Sequence, residues 1–185
     1  MTAWHLRQAA AALRGGGTIA YPTETVFGLG CDPLNPDAIE KLLILKQRPI
    51  EKGLILIGAK LEHLRPYINI DDSKLLQKLQ TAMPQPTTWI VPARTHTPTW
   101  LTGQHRTIAV RITSHPIATE LCNRFAGAIV STSANPAGLA PAQTALTVKR
   151  YFHNELDYLL HTTIKSNNKP SEIRDLLSDK VFRSI

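Results

Sequence analysis

Short apolar runs along the chain alternate with stretches in which apolar residues recur three or four positions apart. The first pattern is typical of buried strands and the second of amphipathic helices. Strands are predicted at residues 18–21, 54–58, 87–93, 107–112, 128–132 and 156–161. Helices are predicted at residues 4–14, 36–47, 60–67, 72–82, 116–126 and 143–152. The chain ends in two short predicted strands around a turn at Ser178-Asp179.

Glycine, proline and asparagine mark the boundaries between these elements. Gly15-Gly16-Gly17 ends the first helix, and Asn35 with Pro36 begins the second. Residues 26–36, which include two glycines, are predicted to form a loop. Because not every pair of strands has a helix between its members, the order predicts an α/β fold with a mixed parallel and antiparallel sheet. No linker or repeat divides the chain, so residues 1–185 are expected to form a single domain.

Composition favours a soluble globular protein in a reducing compartment. The chain is 43% hydrophobic and 19% charged, which is ordinary for a globular protein. No apolar run approaches the length that crosses a bilayer, and the N-terminal residues indicate a first helix rather than a signal peptide. Cys31 and Cys122 show no disulfide pattern. We therefore expect a cytoplasmic protein without a membrane partner.

The distribution of charge changes this picture. The net charge is +7, and from Ser73 to Asn154 the only carboxylate side chain is that of Glu120, against eight lysines and arginines. An acid-poor segment of this kind favours anionic ligands such as nucleotides, phosphates or RNA. A merely basic surface is the plainer alternative.

Several chemistries are excluded by their missing motifs. The chain has no phosphate-binding P-loop, no complete dinucleotide fingerprint, no zinc-ligand spacing and no nucleophile elbow. What remains are hydroxyl, amide and cationic groups at the ends of predicted strands and helices, which suit anionic oxygens. These residues are Thr23, Thr25, Lys46, Arg48, Lys52, Thr88, Arg111, Ser131, Ser133, Asn135, Ser171 and Arg174. Taken singly, each also fits a turn, a cap or a solvated helix end.

Three segments, in this order, resemble the threonylcarbamoyl-AMP synthase family of the YrdC/TsaC type. They are GGTIAYPTETVFGLGCDP, LKQRPIEKGLILI and VSTSANPAG, and the segments PTWLTG, IAVRITSHP and PSEIRD…FR are also similar. The resemblance runs from Gly16 to Arg183 and is to the short, single-domain bacterial form. It implies a twisted, open, mixed sheet flanked by helices around a positively charged cleft.

The resemblance also implies a reaction. L-threonine and bicarbonate form N-carboxythreonine, which attacks the α-phosphate of ATP and gives threonylcarbamoyl-AMP and pyrophosphate. Such an enzyme is a nucleotidyltransferase in tRNA modification, with Mg²⁺ carried by ATP and no metal site of its own. Downstream transferase proteins of the TsaD/TsaB/TsaE type then move the threonylcarbamoyl group onto tRNA.

Site residues are implied by matching the family's motifs position by position. Lys46 and Arg48, the expected catalytic pair, form the nucleotide-phosphate site with Ser133 and Asn135. The positions expected to bind threonine and carboxylate are Thr23, Arg111 and Ser131. Thr88 and Arg183 (on the nucleotide side) and Ser171 (on the substrate side) are expected to line the same cleft.

Three departures from the family pattern and two alternative functions accompany this hypothesis. Gln85 stands where the family has the glycine of Pro-Gly-Pro, Met83 stands where a tryptophan is common, and Ala137 replaces a frequent serine. A positive φ at the glycine position would strain Gln85. The alternative functions are a double-stranded-RNA-binding module that uses the same basic cleft, and a degenerate paralogue that binds nucleotide without turnover.

Overall fold

The computed structural model of the protein describes residues 2–161 and 171–184. The helices are α1 (Ala3–Arg14), α2 (Pro36–Lys46), α3 (Leu61–Leu64), α4 (Ser73–Gln80), α5 (Thr99–Thr102), α6 (Pro116–Phe125) and α7 (Ala145–Phe152), with a 3-10 turn at Ile50–Lys52. The strands are β1 (Ile19–Pro22), β2 (Phe27–Gly30), β3 (Ile55–Gly58), β4 (Thr87–Pro92), β5 (Thr107–Ile112), β6 (Ile129–Val130), β7 (Thr132–Ser133), β8 (Tyr158–Leu159), β9 (Glu172–Asp175) and β10 (Val181–Arg183). The six predicted helices are confirmed, although α3 is much shorter than its pattern indicated.

The strands form two sheets, and both mix parallel and antiparallel pairs. The smaller sheet has the order β7-β2-β1-β8, and the larger has the order β10-β9-β4-β5-β3-β6. In the larger sheet β3 runs parallel to β5, whereas β4 runs antiparallel to β5. The predicted mixed α/β fold is therefore confirmed. Its division into two sheets was not visible in the hydrophobic pattern.

Ser131 marks the point where the chain passes from one sheet to the other. β6 pairs with β3 of the larger sheet, and β7 pairs with β2 of the smaller one. At the junction the Ser131 amide donates to the carbonyl of Ile55 at 2.8 Å. The strand predicted at residues 128–132 is thus two short strands, and the crossing leaves Ser131 between the sheets.

The prediction of a loop at residues 26–36 was wrong for β2. This strand pairs with β1 along its whole length, from Ile19 opposite Gly30 to Pro22 opposite Phe27. Its glycines meet a packing requirement, because a Cβ at Gly30 would lie 2.6 Å from the carbonyl oxygen of Val130 and 2.8 Å from the Tyr21 ring. A glycine in a strand can mark such a close approach as well as a break.

Two groups of buried side chains hold the sheets and helices together. One lies between α1, α6 and the strands β1, β3 and β6, and it includes Leu13, Leu121 and Ile57. The other includes Leu42 of α2 and Leu56 of β3. Adjacent residues of β3 enter different groups because successive strand residues face opposite sides of a sheet. Helices of both groups therefore pack against the sheets.

Candidate anion-binding cleft

A cavity of about 450 Å³ lies between the two sheets, and both sheets contribute polar groups to it. The smaller sheet and its turns supply Thr23, Ser131 and Ser133, and the larger sheet supplies Arg111. The predicted site residues that line the cavity are Thr23, Arg48, Arg111, Ser131, Ser133, Ser171 and Arg183. Residues far apart in the sequence are thus brought to one place.

The charged groups of the cleft are all cations. Arg48, Lys52, Arg111 and Arg183 line it, and no aspartate or glutamate does so among the described residues. Burial lowers the pKa of Arg48. Burial, with a smaller contribution from the neighbouring Arg111, also lowers the pKa of Arg183. Cations that face one cavity without carboxylates create a positive potential that favours anions.

Arg48 reaches the cleft because α2 ends two residues before it. Lys46 is the last helical residue, and Gln47 caps the helix in the left-handed conformation with φ of 50°. The chain then leaves the helix axis, and Arg48 Nη2 donates to the carbonyl of Gly53 at 3.0 Å. Its buried Nε has no partner among the described residues. The guanidinium is therefore anchored through Nη2 on a residue that lines the cavity.

Lys46 and Asn135 do not line the cavity, although the sequence placed both at the phosphates. Lys46 is only 6% exposed, and its ammonium donates to the carbonyls of Ser133 at 2.5 Å and Asn135 at 2.8 Å. Burial and the neighbouring Arg48 lower the pKa of Lys46 to about 8. The Asn135 amide group donates to the carbonyl of Leu139 at 2.7 Å. Lys46 thus holds the Ser133–Asn135 loop from behind.

Thr88 also stands behind the cleft. It is fully buried, and its hydroxyl lies 3.0 Å from that of Ser171. Arg183 donates to the carbonyl of Ser171 through Nη2 at 2.7 Å and Nε at 3.0 Å. Ser171 and Arg183 line the cavity, so Thr88 supports the wall without facing the ligand space.

Sequence reasoning missed several residues of the site. His105, Thr102 and Thr107 also line the cavity. The alternation of Thr107, Ala109 and Arg111 along β5 could have indicated Thr107, because alternate strand residues share a face. Glu24 was missed as well, since a carboxylate is not expected near an anion site. It lies 3.4 Å from Arg111.

The departures Gln85 and Ala137 cause no visible strain. Gln85 is not among the residues with positive φ, so the Pro84-Gln85-Pro86 loop does not require a glycine there. The loop borders a second cavity of about 370 Å³, which meets the first at Arg111. Ala137 donates its amide to the carbonyl of Lys46 at 3.0 Å, and this backbone contact does not depend on a side chain.

The described residues contain neither a candidate membrane-spanning helix nor a candidate metal-binding cluster. None of the helices in residues 2–161 and 171–184 is long and apolar enough to cross a membrane. No group of three or more His, Cys, Asp or Glu side chains in these ranges could hold a metal ion.

A mixed two-sheet α/β fold around a cleft lined by cations, with no carboxylate from the described residues, is typical of the class of proteins that bind anionic ligands. Comparison with protein-family models identifies the particular family. The Sua5/YciO/YrdC family model, described as "Telomere recombination", matches residues 11–184, and the chain belongs to this family.

Relatives and solved structures agree with this assignment. The threonylcarbamoyl-AMP synthase of Cellvibrio japonicus is 49% identical over 95% of this chain and 93% of its own length. That of Nitrosococcus oceani is 51% identical over 93% of both chains. The crystal structure of P. abyssi Sua5 complexed with L-threonine superposes with a TM-score of 0.87 and 28% identity, covering 95% of this chain and 52% of that one. E. coli YciO gives a TM-score of 0.83 and 27% identity, covering 96% and 87%.

Proposed function

We propose that the protein catalyses the synthesis of L-threonylcarbamoyl-AMP from L-threonine, bicarbonate and ATP with release of pyrophosphate. The observation that carries this proposal is the cleft between the sheets, which is lined by cations and hydroxyls and by no carboxylate of the described residues. The names of the relatives from C. japonicus and N. oceani, and the L-threonine bound to P. abyssi Sua5, support it.

The chemistry needs binding groups rather than a protein nucleophile. The amine of threonine joins bicarbonate, water leaves, and an oxygen of the resulting carbamate attacks the α-phosphorus of ATP while pyrophosphate departs. All three reactants carry carboxylate, carbonate or phosphate oxygens, which repel one another in water. Cations fixed in a cleft offset this repulsion, and orientation of bound reactants can contribute about 7–11 kcal/mol. Donors aimed at the α-phosphate stabilise the charge that develops there.

The cleft supplies groups for each reactant. We assign Arg48, Lys52, Ser133 and Arg183 of the lining to ATP and its phosphates. Arg111 and Ser171, with Thr23 and Ser131, suit the carboxylate of threonine and bicarbonate. In this assignment Lys46, Asn135 and Thr88 act from behind by holding the loops that carry Ser133 and Ser171.

Magnesium enters this proposal as part of the ATP substrate. The lining has no carboxylate among the described residues, so its side chains suit phosphate oxygens rather than the ion. The phosphates and water would hold Mg²⁺, and the protein would bind the complex. We place the protein in the cytoplasm, with its product passed to the transferase proteins that modify tRNA.

The size of the cavity favours this function over RNA binding. A volume of about 450 Å³ is in the range of small-molecule sites and suits a nucleotide, not a double helix. The names of the relatives above refer to a synthase and not to RNA binding.

Mass spectrometry of the product tests the proposal. The protein is incubated with Mg²⁺, ATP, threonine and ¹³C-bicarbonate, and we expect a threonylcarbamoyl adenylate that carries the label, together with pyrophosphate. Arg48→Met should lower product formation by at least about 10²-fold, the size typical of lost transition-state donors. Lys149→Met, an exposed cation on α7, is the matched control. Pyrophosphate release that is unchanged when threonine or bicarbonate is omitted overturns the proposal.

A further inference from the structure

Glu24 lies between two residues of the cleft but does not line the cleft itself. Thr23 and Thr25 on either side belong to the lining, whereas Glu24, with 11% of its side chain exposed, lines the second cavity on the other side of Arg111. It belongs to the turn between β1 and β2 of the smaller sheet. A buried carboxylate beside an anion site reduces the positive potential there, so its presence needs a reason.

One oxygen of Glu24 collects three hydrogen bonds from the larger sheet's side of the cleft. Oε1 accepts from the Thr113 hydroxyl at 2.6 Å, the Ser114 amide at 2.9 Å and the His115 amide at 3.2 Å. These donors follow β5 directly and precede α6. Burial alone would raise the pKa of Glu24, but Arg111, the Thr113 hydroxyl and the Ser114 amide outweigh it and hold the pKa below its ordinary value. Glu24 is thus an ionised link between the two walls.

The other oxygen faces Arg111. Oε2 lies 3.4 Å from Arg111 Nη2 and makes no hydrogen bond among the described residues. Arg111 is itself buried, with 8% of its side chain exposed, and its Nε has no partner in the same part of the chain. The ion pair therefore orients the guanidinium of a residue that lines the cleft. Arg111 lies near the end of β5, two residues before Thr113. The Glu24 carboxylate therefore contacts both the guanidinium of Arg111 and the segment that directly follows the strand.

We propose that Glu24 is a positioning residue that holds Arg111 and the Thr23–Thr25 turn in register across the cleft, so that a carboxylate or carbonate group finds its donors already in place. This proposal rests on the proposed function for the identity of the reactants. The expected consequence is selective. Loss of the Glu24 charge should weaken the binding of the reactant that Arg111 holds, threonine or bicarbonate, and so raise its KM. The KM for ATP should stay unchanged.

A double-mutant cycle tests this selectivity. Glu24→Gln should raise the KM for threonine or bicarbonate about tenfold, which corresponds to about 1.4 kcal/mol of coupling. In an Arg111→Met background the same substitution should add almost nothing, because the residue through which it acts is gone. Glu120→Gln is the matched control, since Glu120 pairs with Arg124 on the outside of α6. Additive effects of the two substitutions, or an equal rise in the KM for all three reactants, overturn the proposal.

Thermal unfolding without ligands provides a separate readout. Glu24→Gln and Thr113→Val should be coupled in their effect on the melting temperature, since each removes part of one contact. This holds even if the wild-type protein makes no threonylcarbamoyl-AMP, in which case only the proposed function fails. If Glu24→Gln does not fold, Thr113→Val keeps the carboxylate and removes the 2.6 Å hydrogen bond, together with the 3.3 Å hydrogen bond from the His115 amide to the same hydroxyl, and should give a smaller but equally selective rise in KM. Independent effects on melting contradict the link.

Discussion

At the scale of single residues, side chains behind the cleft hold its loops in place, whereas side chains that line it face the ligand space. Lys46 and Arg48 are two positions apart, yet Lys46 supports the Ser133–Asn135 loop and Arg48 faces the cavity. The left-handed cap at Gln47 separates their directions. The sequence predicted both residues as hydrogen-bond donors. It could not predict which way each side chain points, because that depends on how the helix ends.

Lys46 should make stability depend on pH. Its pKa falls from 10.5 when unfolded to about 8 when folded, so the unfolded state binds more protons between these values. Stability should therefore rise with pH across this range and be lost as pH falls towards 8, by up to about 3 kcal/mol in total. Urea unfolding of the wild type and Lys46→Met at pH 7.5, 8.5 and 9.5 measures the difference. A free-energy difference between the two proteins that is flat over this range contradicts the shifted pKa.

At the scale of elements, six of the helices in the described residues were predictable from the sequence, whereas the strand β2 and the helix α5 were not. The periodic apolar residues of α1, α2 and α6 predicted these helices correctly, because each helix buries one face. The strand β2 was missed because its glycines serve close packing against Val130 and Tyr21 rather than a break. The short helix α5 was missed because four residues cannot display a helical period.

The contact between the 3-10 turn and α5 should depend on glycine at position 103. This residue has φ of 62°, and a Cβ there would lie 2.1 Å from the carbonyl oxygen of Glu51. Gly103→Ala should destabilise the fold by at least about 2 kcal/mol, through strained backbone and a backbone clash together. It should also lower activity, because Arg48 is anchored on Gly53 in the same contact. Gly138→Ala is the control, since no atom lies within 4 Å of its Cβ position and φ is also positive, at 79°. Equal losses of stability in the two variants would show that only the backbone strain matters.

At the scale of the whole molecule, the assignment of strands to two sheets was beyond the sequence. Pairing joins residues as distant as Thr88 and Ile173, and a local pattern carries no information about such partners. The resemblance to a known family predicted a cleft but not its position. The cleft lies between the two sheets, next to Ser131, where the chain passes from the larger sheet to the smaller one. The role of Glu24 could be recognised only from the structure, because its partners at Thr113–His115 are distant in the sequence.

The cationic cleft should make the free protein sensitive to anions. Arg48, Lys52, Arg111 and Arg183 face one cavity without a carboxylate of the described residues, so their repulsion is relieved when an anion binds. Pyrophosphate, the expected product, should raise the melting temperature; at 100 times its Kd the gain is about 2.7 kcal/mol, or roughly 5–10 °C for a chain of this size. Arg48→Met should lose most of this shift, whereas Lys149→Met on α7 should keep it, and an equal ionic strength of chloride should produce little. A shift that is the same in Arg48→Met as in the wild type would contradict the assignment of Arg48 to the anion site.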